Sequence, residues 1–441
     1  MKNFLANQKY QIIVIAIVYF AFRINNAILV KPFFDEFDSP PYFELKFFPS
    51  FRGHGITIFY SLIKNEFVIT IFQAAVGSLA WIFLWITILG LIRNKILKYI
   101  FTFLFFILAI SSVIVEHDSA LLSESLAISS TVFVFAAAIN LYLRENIYLQ
   151  NAILTFGLGI IWFLSTKSSN SLILPIIGVI YLIALYRFCS LKIFIVMGSV
   201  FVILGTFILA NSLSSDITKT LTTSGTINNR LVYVDEWKSE LLTSGYPVNA
   251  LAIWKEFSES NLGLPPDQAV VNMPEFKDWW KDGGNSYLTK FTFRNPDYAL
   301  IAPVAIPLFS QDLTYKKTLL SGWSQGTDLT LEYSGFNNSL LSRTFYWPDE
   351  AEKAYLALSI SLFILGISLL MLTKFGQAKE FNLIILTILL TLIWSYLNWW
   401  FGSKPVDMAR HNISAAIMFK IVALFALTLS FDKLFVRVKK M

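Results

Sequence analysis

Three carboxylates, Asp35, Glu36 and Asp38, crowd the stretch FFDEFDSPPYF at 33–43, between the first two long apolar runs of the chain. Carboxylates beside a low-dielectric region cost desolvation, so they need a reason to be there. The same environment raises a carboxylate pKa toward that of a general base, which removes a proton from a hydroxyl or amide acceptor. A second group, HDSALLSES at 117–125, holds His117, Asp118 and Glu124. On a continuous helix the two acids would sit ~9 Å apart along the axis, not quite on one face. Glu124 opens an apolar run and needs a partner there. A third group is cationic: Lys167 in KSSN, Arg410 beside His411 and Asp407, Arg52 beside His54, and Arg23 inside the first apolar run. Cations at helix ends suit a phosphate, although the same side chains also snorkel or pair with nearby acids. Histidine with carboxylate is a donor set for a divalent ion, which His54, His117 and the acids would supply. No tight ligand spacing supports one, so neither metal nor other cofactor is expected.

The elements that must position these groups belong to a membrane. Of the 441 residues, 56% are hydrophobic and 15% charged, with 41 Phe and 12 Trp. Soluble domains run at about 25% charged. The net charge of +6 does not point to nucleic acid, because the Lys and Arg residues gather beside the ends of apolar runs, as orientation signals do. With Cys189 the single cysteine, no internal disulfide forms. The N-terminal apolar run follows MKNFLANQK and lacks a small-residue cleavage site, so it reads as an uncleaved first helix.

A span needs ~20 mostly apolar residues, and about ten stretches meet that rule. They fall near 10–30, 67–92, 96–115, 122–143, 149–166, 171–188, 191–211, 353–373, 381–401 and 411–431. Alternate connections carry the Lys and Arg residues, which places both termini in the cytoplasm. The predicted fold is an all-α integral membrane protein. Its three parts are an N-terminal membrane module at 1–211, with the acidic outer loop at 31–66, an α-rich extracytoplasmic segment at 212–352, and a C-terminal membrane module at 353–441. In the first outer loop Ile56, Phe59, Tyr60 and Ile63 share one helical face, the pattern of a short interfacial helix. In the outer segment a Ser/Thr-rich linker, LSSDITKTLTTSGT, precedes a helix capped by Asn228 or Asn229 and ended by Gly245, with further helices near 249–260 and 274–281. Its Trp residues at 237, 254, 279, 280, 323 and 347 have the ring faces that stack on sugars, and equally suit a small core or a membrane belt.

FDSPPYFEL, then RGHGITIFYSLI and Gln73, resembles the first outer loop of bacterial polytopic membrane glycosyltransferases of the GT-C fold, the dolichyl-phosphate-mannose-protein mannosyltransferase-like enzymes. DSALLSESLAI resembles their second outer loop, KSSNSLILP their later basic stretch before a proline, and MARHNISAAI their terminal Arg-aromatic motif, with His411 at the aromatic position. His54-Gly55-Ile56 departs from the usual Pro-Gly-Tyr. The resemblance implies an inverting transferase with a polyprenyl-phosphate sugar as donor. Its acceptor is a glycan, lipid or protein at the outer face of the inner (plasma) membrane. Asp38 is the implied base, with Asp35 (paired with Glu36, as in relatives that modify proteins or lipid A) as its competitor. Asp118, Glu124, His117 and His54 would position acceptor or base. Arg410, Lys167, Arg52 and His411 would hold the donor phosphate. A transporter or flippase of lipid-linked glycans, or an O-antigen polymerase or ligase, is the alternative; Arg23 inside a span is the feature favouring transport.

Overall fold

The computed structural model describes residues 2–30, 32, 39–43, 54–143, 149–214, 216–253, 266–300, 351–375, 378–401 and 405–438. The elements among them are α-helices joined by short 3₁₀ turns, an all-α architecture. From the N-terminus run α1 (Lys2–Leu29), α2 (Pro40–Phe43), α3 (His54–Ile63), α4 (Glu66–Leu89), α5 (Lys95–Ala109) and α6 (Ser112–Val115). After a 3₁₀ turn at Glu116–Asp118 come α7 (Glu124–Leu143) and α8 (Leu149–Thr166). A second such turn at Ser168–Ile173 leads to α9 (Leu174–Phe188) and α10 (Leu191–Ser214). Among the described residues, five helical stretches are long and apolar enough to cross a membrane: Tyr10–Leu29, Glu66–Leu89, Glu124–Leu143, Leu191–Ile208 and Ala378–Asn398.

Most of the apolar runs read from sequence fall on one helix each. The run at 96–115 does not, because α5 stops at Ala109. At that end the backbone N–H groups of Ile110 and Ser111 donate to the Phe106 and Leu108 carbonyls, and the Ser111 hydroxyl donates to the Leu108 carbonyl at 2.7 Å. The run at 171–188 enters through the 3₁₀ turn, with Pro175 in the first turn of α9, where its missing N–H costs nothing.

Contacts divide the chain into two compact units. The first comprises the described residues of 1–212, 324–394 and 413–441, the second those of 213–323 and 395–412. In the first unit α4 packs on α1 and α7, and α7 on α8. The turn between α4 and α5 is tied by Asp432, whose Oδ1 accepts the backbone N–H groups of Arg93 (2.9 Å) and Asn94 (2.6 Å). The Asn94 side chain in turn caps α5, satisfying N–H groups that the helix itself leaves open.

The second unit contains α11 (Asp216–Asn229), α12 (Asp235–Thr243), α13 (Pro266–Asn272), α14 (Pro274–Lys281), α15 (Tyr287–Arg294) and α16 (Pro296–Leu300). The Ser/Thr-rich linker is therefore helical. Ile227 enters the core and Asn228 donates to the Ser224 carbonyl at 2.9 Å and lies 3.0 Å from the Tyr246 hydroxyl, so tertiary contacts override weak helix propensity. Asn228 and Asn229 form the end of α11 instead of capping a helix to Leu242; α12 starts at Asp235, and Gly245 follows it with φ +83°. Of the Trp residues named above, Trp237 and Trp279 belong to this unit's core, with Phe276, Tyr287, Phe291 and Tyr298.

Beyond the second unit's first part the chain returns through α17 (Ala351–Phe375), α18 (Ala378–Phe401) and α19 (Pro405–Val438). Lys433 at the end of α19 meets Glu380 at the start of α18 at 2.5 Å.

Candidate active site

The polar segment 117–125 is the best-defined cluster of chemistry in the first unit. It links the 3₁₀ turn to α7, so Asp118 and Glu124 are not on one helix: Asp118 closes the turn and Glu124 opens α7. The spacing expected from a continuous helix fails because Ala120 to Ser123 pass between them as irregular chain. Both acids are fully buried, and His117 beside them is 1% exposed.

Each acid meets a buried base from a distant part of the chain. Arg23 of α1 donates through Nε to Asp118 Oδ2 at 2.9 Å, and Nη2 reaches both carboxylate oxygens at 2.6 Å. Arg23 Nη1 also donates to the Tyr19 hydroxyl at 3.2 Å, which donates onward to the Ala109 carbonyl at 3.3 Å. The Ser125 hydroxyl adds a bond to Asp118 Oδ1 at 2.7 Å. Lys167, between α8 and the 3₁₀ turn, places Nζ 3.0 Å from Glu124 Oε1. An isolated buried charge is costly, whereas a paired and hydrogen-bonded one is tolerated. The N-terminal end of α7 also favours the negative charge of Glu124.

The carbonyls between the two acids are held separately. Gln73 of α4 donates through Nε2 to the Asp118 carbonyl (3.1 Å) and the Ala120 carbonyl (3.0 Å). The Tyr60 hydroxyl of α3 lies 3.0 Å from both Gln73 Oε1 and the Leu122 carbonyl; having one proton, it serves one of them fully at a time. The Ser39 hydroxyl donates to the Leu121 carbonyl at 3.1 Å. Ser39 directly follows Asp38 in the chain, so the segment between α1 and α3 touches the segment between α6 and α7 at this residue.

The expected apolar face of α3 is the one that packs. Ile56 and Tyr60 are buried against Tyr42, Ile69, Leu121 and Leu126, with Phe59 and Ile63 beside them. Ile58 and Leu62 are exposed.

Asp35, Glu36, Asp38 and Arg52 lie outside the described residues. His54 begins α3, and Arg410 and His411 lie in the first turns of α19; their side chains also fall outside the described residues. Lys167, expected at a phosphate, gives its ammonium to Glu124. The Asn170 side chain of the same stretch donates to the Phe163 carbonyl at 3.0 Å and so closes the end of α8. Tyr60 and Gln73, named from sequence for a helical face and a motif, also join the cluster, as do Ser39, Ser125 and Gly77, which had no role assigned; for Ser125 the signal was available, since a polar residue within an apolar run needs a partner.

Also in this unit, an apolar cavity of about 260 Å³ runs between α7, α8, α9, α18 and α19, with Phe156, Ile177, Leu390 and Trp394 in its wall. Among the described residues no group of His, Cys, Asp and Glu has the arrangement of a metal site.

Comparison with protein families, with curated proteins and with solved structures returns no match.

Proposed function

We propose that the chain is a polytopic membrane glycosyltransferase of the GT-C type, with ten spans, cytoplasmic termini and an active site on the outer face of the cytoplasmic membrane. One observation carries the reading: Ser39, next to Asp38, is hydrogen-bonded to the segment framed by Asp118 and Glu124. A fixed scaffold of buried charges therefore lies one residue away from the acidic stretch. Asp118 and Glu124, held by Arg23 and Lys167, act as positioning residues; a carboxylate engaged by a cation would have to release it before taking a proton.

In the proposed reaction the Asp38 carboxylate, with Asp35 as the competing base, takes the proton of an acceptor hydroxyl or amide. The acceptor heteroatom forms a bond to the anomeric carbon of a polyprenyl-phosphate sugar. The bond from that carbon to the phosphate oxygen breaks, and the phosphate leaves with the electron pair. Arg410, Arg52 and His411 are the candidates to neutralise the leaving phosphate. The apolar cavity supports the reading, because its lining accepts a hydrocarbon chain. Arg23, the mid-span charge that favoured a transporter, is accounted for by Asp118.

The test is transfer of radiolabelled sugar from a polyprenyl-phosphate donor by purified protein. Asp38→Ala is expected to lower turnover about 10²–10⁴-fold, the range of a lost general base, with membrane insertion unchanged. Normal transfer by the triple variant Asp35→Ala/Asp38→Ala/Arg410→Ala ends the reading.

A further inference from the structure

The second unit holds a pocket that the transfer chemistry does not use. It measures about 630 Å³ and lies between α12, α14 and α15, within the size range of small-molecule sites. Trp279 and Tyr287 form part of its wall; Glu236, Glu240 and Asp282 bring carboxylates, and Lys290 and Arg294 bring cations. Hydroxyls of Ser239, Thr243 and Ser244 complete the polar side.

Local geometry prepares this lining. Glu240 Oε2 accepts from Asn295 at 3.0 Å, which holds the carboxylate from one side, and its Oε1 lies 3.7 Å from the exposed Arg294 guanidinium. The wall bends at Gly283, whose φ of +124° favours glycine. At Gly284 a Cβ would come within 2.5 Å of the Trp279 ring, so only glycine lets the backbone lie against the indole. The Tyr287 hydroxyl is buried with no hydrogen-bond partner among the described residues, a state that calls for an explanation. Burial, and next the Glu240 carboxylate, push its pKa well up, so the phenol keeps its proton and stays a donor.

We infer that this pocket binds a neutral saccharide of one or two units. An anion would face Glu236, Glu240 and Asp282, and a cation would face Lys290 and Arg294. A polyol suits both sets, because each hydroxyl donates to a carboxylate and accepts from a cation. Trp279 and Tyr287, both seated in the unit's core, add only the ring edges that close the pocket wall. The site belongs to the second unit alone and does not depend on the transferase reading.

The test is saturation-transfer NMR of the full chain in lipid nanodiscs, which avoids maltoside detergents, with millimolar maltose and methyl α-mannoside as probes. Transfer to sugar protons is expected for the parent protein and for Asp38→Ala. It should fall about tenfold or more in Glu236→Ala/Asp282→Ala, given what hydrogen bonds to charged groups contribute. Both substituted residues are exposed, and an unchanged near-UV circular dichroism spectrum would show the unit still folded. Equal transfer in parent and double variant, no transfer from the parent, or displacement of the sugars by inorganic phosphate or calcium would each overturn the assignment. Persistence of sugar binding in an Asp38→Ala protein that no longer transfers sugar separates this site from the catalytic one.

Discussion

Arg23 and Asp118 show at the scale of single residues why buried charges come in pairs. The guanidinium matches the carboxylate with two nitrogens, and Tyr19 and Ser125 take up further donors and acceptors. Removing one member leaves the other charge buried and unpaired, a loss of about 3–5 kcal/mol. Arg23→Ala and Asp118→Ala should each lower stability by that much, read as the unfolding midpoint of the purified protein. The double variant should lose less than the sum, because the second substitution removes the stranded charge. Strict additivity would mean that the two side chains do not act as a pair. Each residue was legible by itself: an arginine inside a span and an acid at a membrane edge both demand partners. Which partner each takes was not, since the two are 95 positions apart in the chain.

Among the elements, the decisive contact is between α1 and α4. Gly77 of α4 faces the Arg23 guanidinium, and a Cβ there would stand 2.5 Å from Nη2. A free arginine would swing aside, but this one is locked to Asp118. Gly77→Ala should therefore cost about 1–3 kcal/mol, as overpacking does. In an Arg23→Ala/Asp118→Ala background the same change should cost almost nothing, because the guanidinium is gone. An equal loss in both backgrounds, measured by chemical denaturation, would place the strain elsewhere. Helix α3 could be read from its period, since Ile56, Phe59, Tyr60 and Ile63 form the face that packs. The end of α5 could not, because the apolar pattern runs on past Ala109, where the helix stops. Helix α11 was hidden for the opposite reason: serine and threonine propensity points away from a helix, and only burial of Ile227 and the bonds of Asn228 stabilise one.

For the molecule as a whole, the second unit has its own aromatic core and its own response to pH. Tyr246, Tyr287 and Tyr298 are buried there, and burial first of all raises each phenol pKa above the ordinary value. A group whose folded pKa lies above its unfolded one contributes stability below the unfolded pKa and loses it as pH rises toward the folded pKa. The unit should thus hold its stability up to about pH 10, the ordinary tyrosine pKa, and lose it above. The near-UV circular dichroism signal should therefore hold up to about pH 10 and fall above it, and a signal that persists well above that pH would show that these phenols do not limit the unit's stability.

Composition and hydrophobic period alone determine that the described residues are helical and include stretches apolar enough for a bilayer, because burying backbone polar groups away from water leaves helices as the available answer to long apolar runs. They also mark the charged residues as costly. Tertiary structure decided which charges neutralise one another, that Gln73 and Tyr60 hold the carbonyls between Asp118 and Glu124, and that the polar pocket of the second unit forms around Trp279 and Tyr287. Those pairings arise where helices distant in the chain meet, and no local pattern of residues encodes the angle or depth of that meeting.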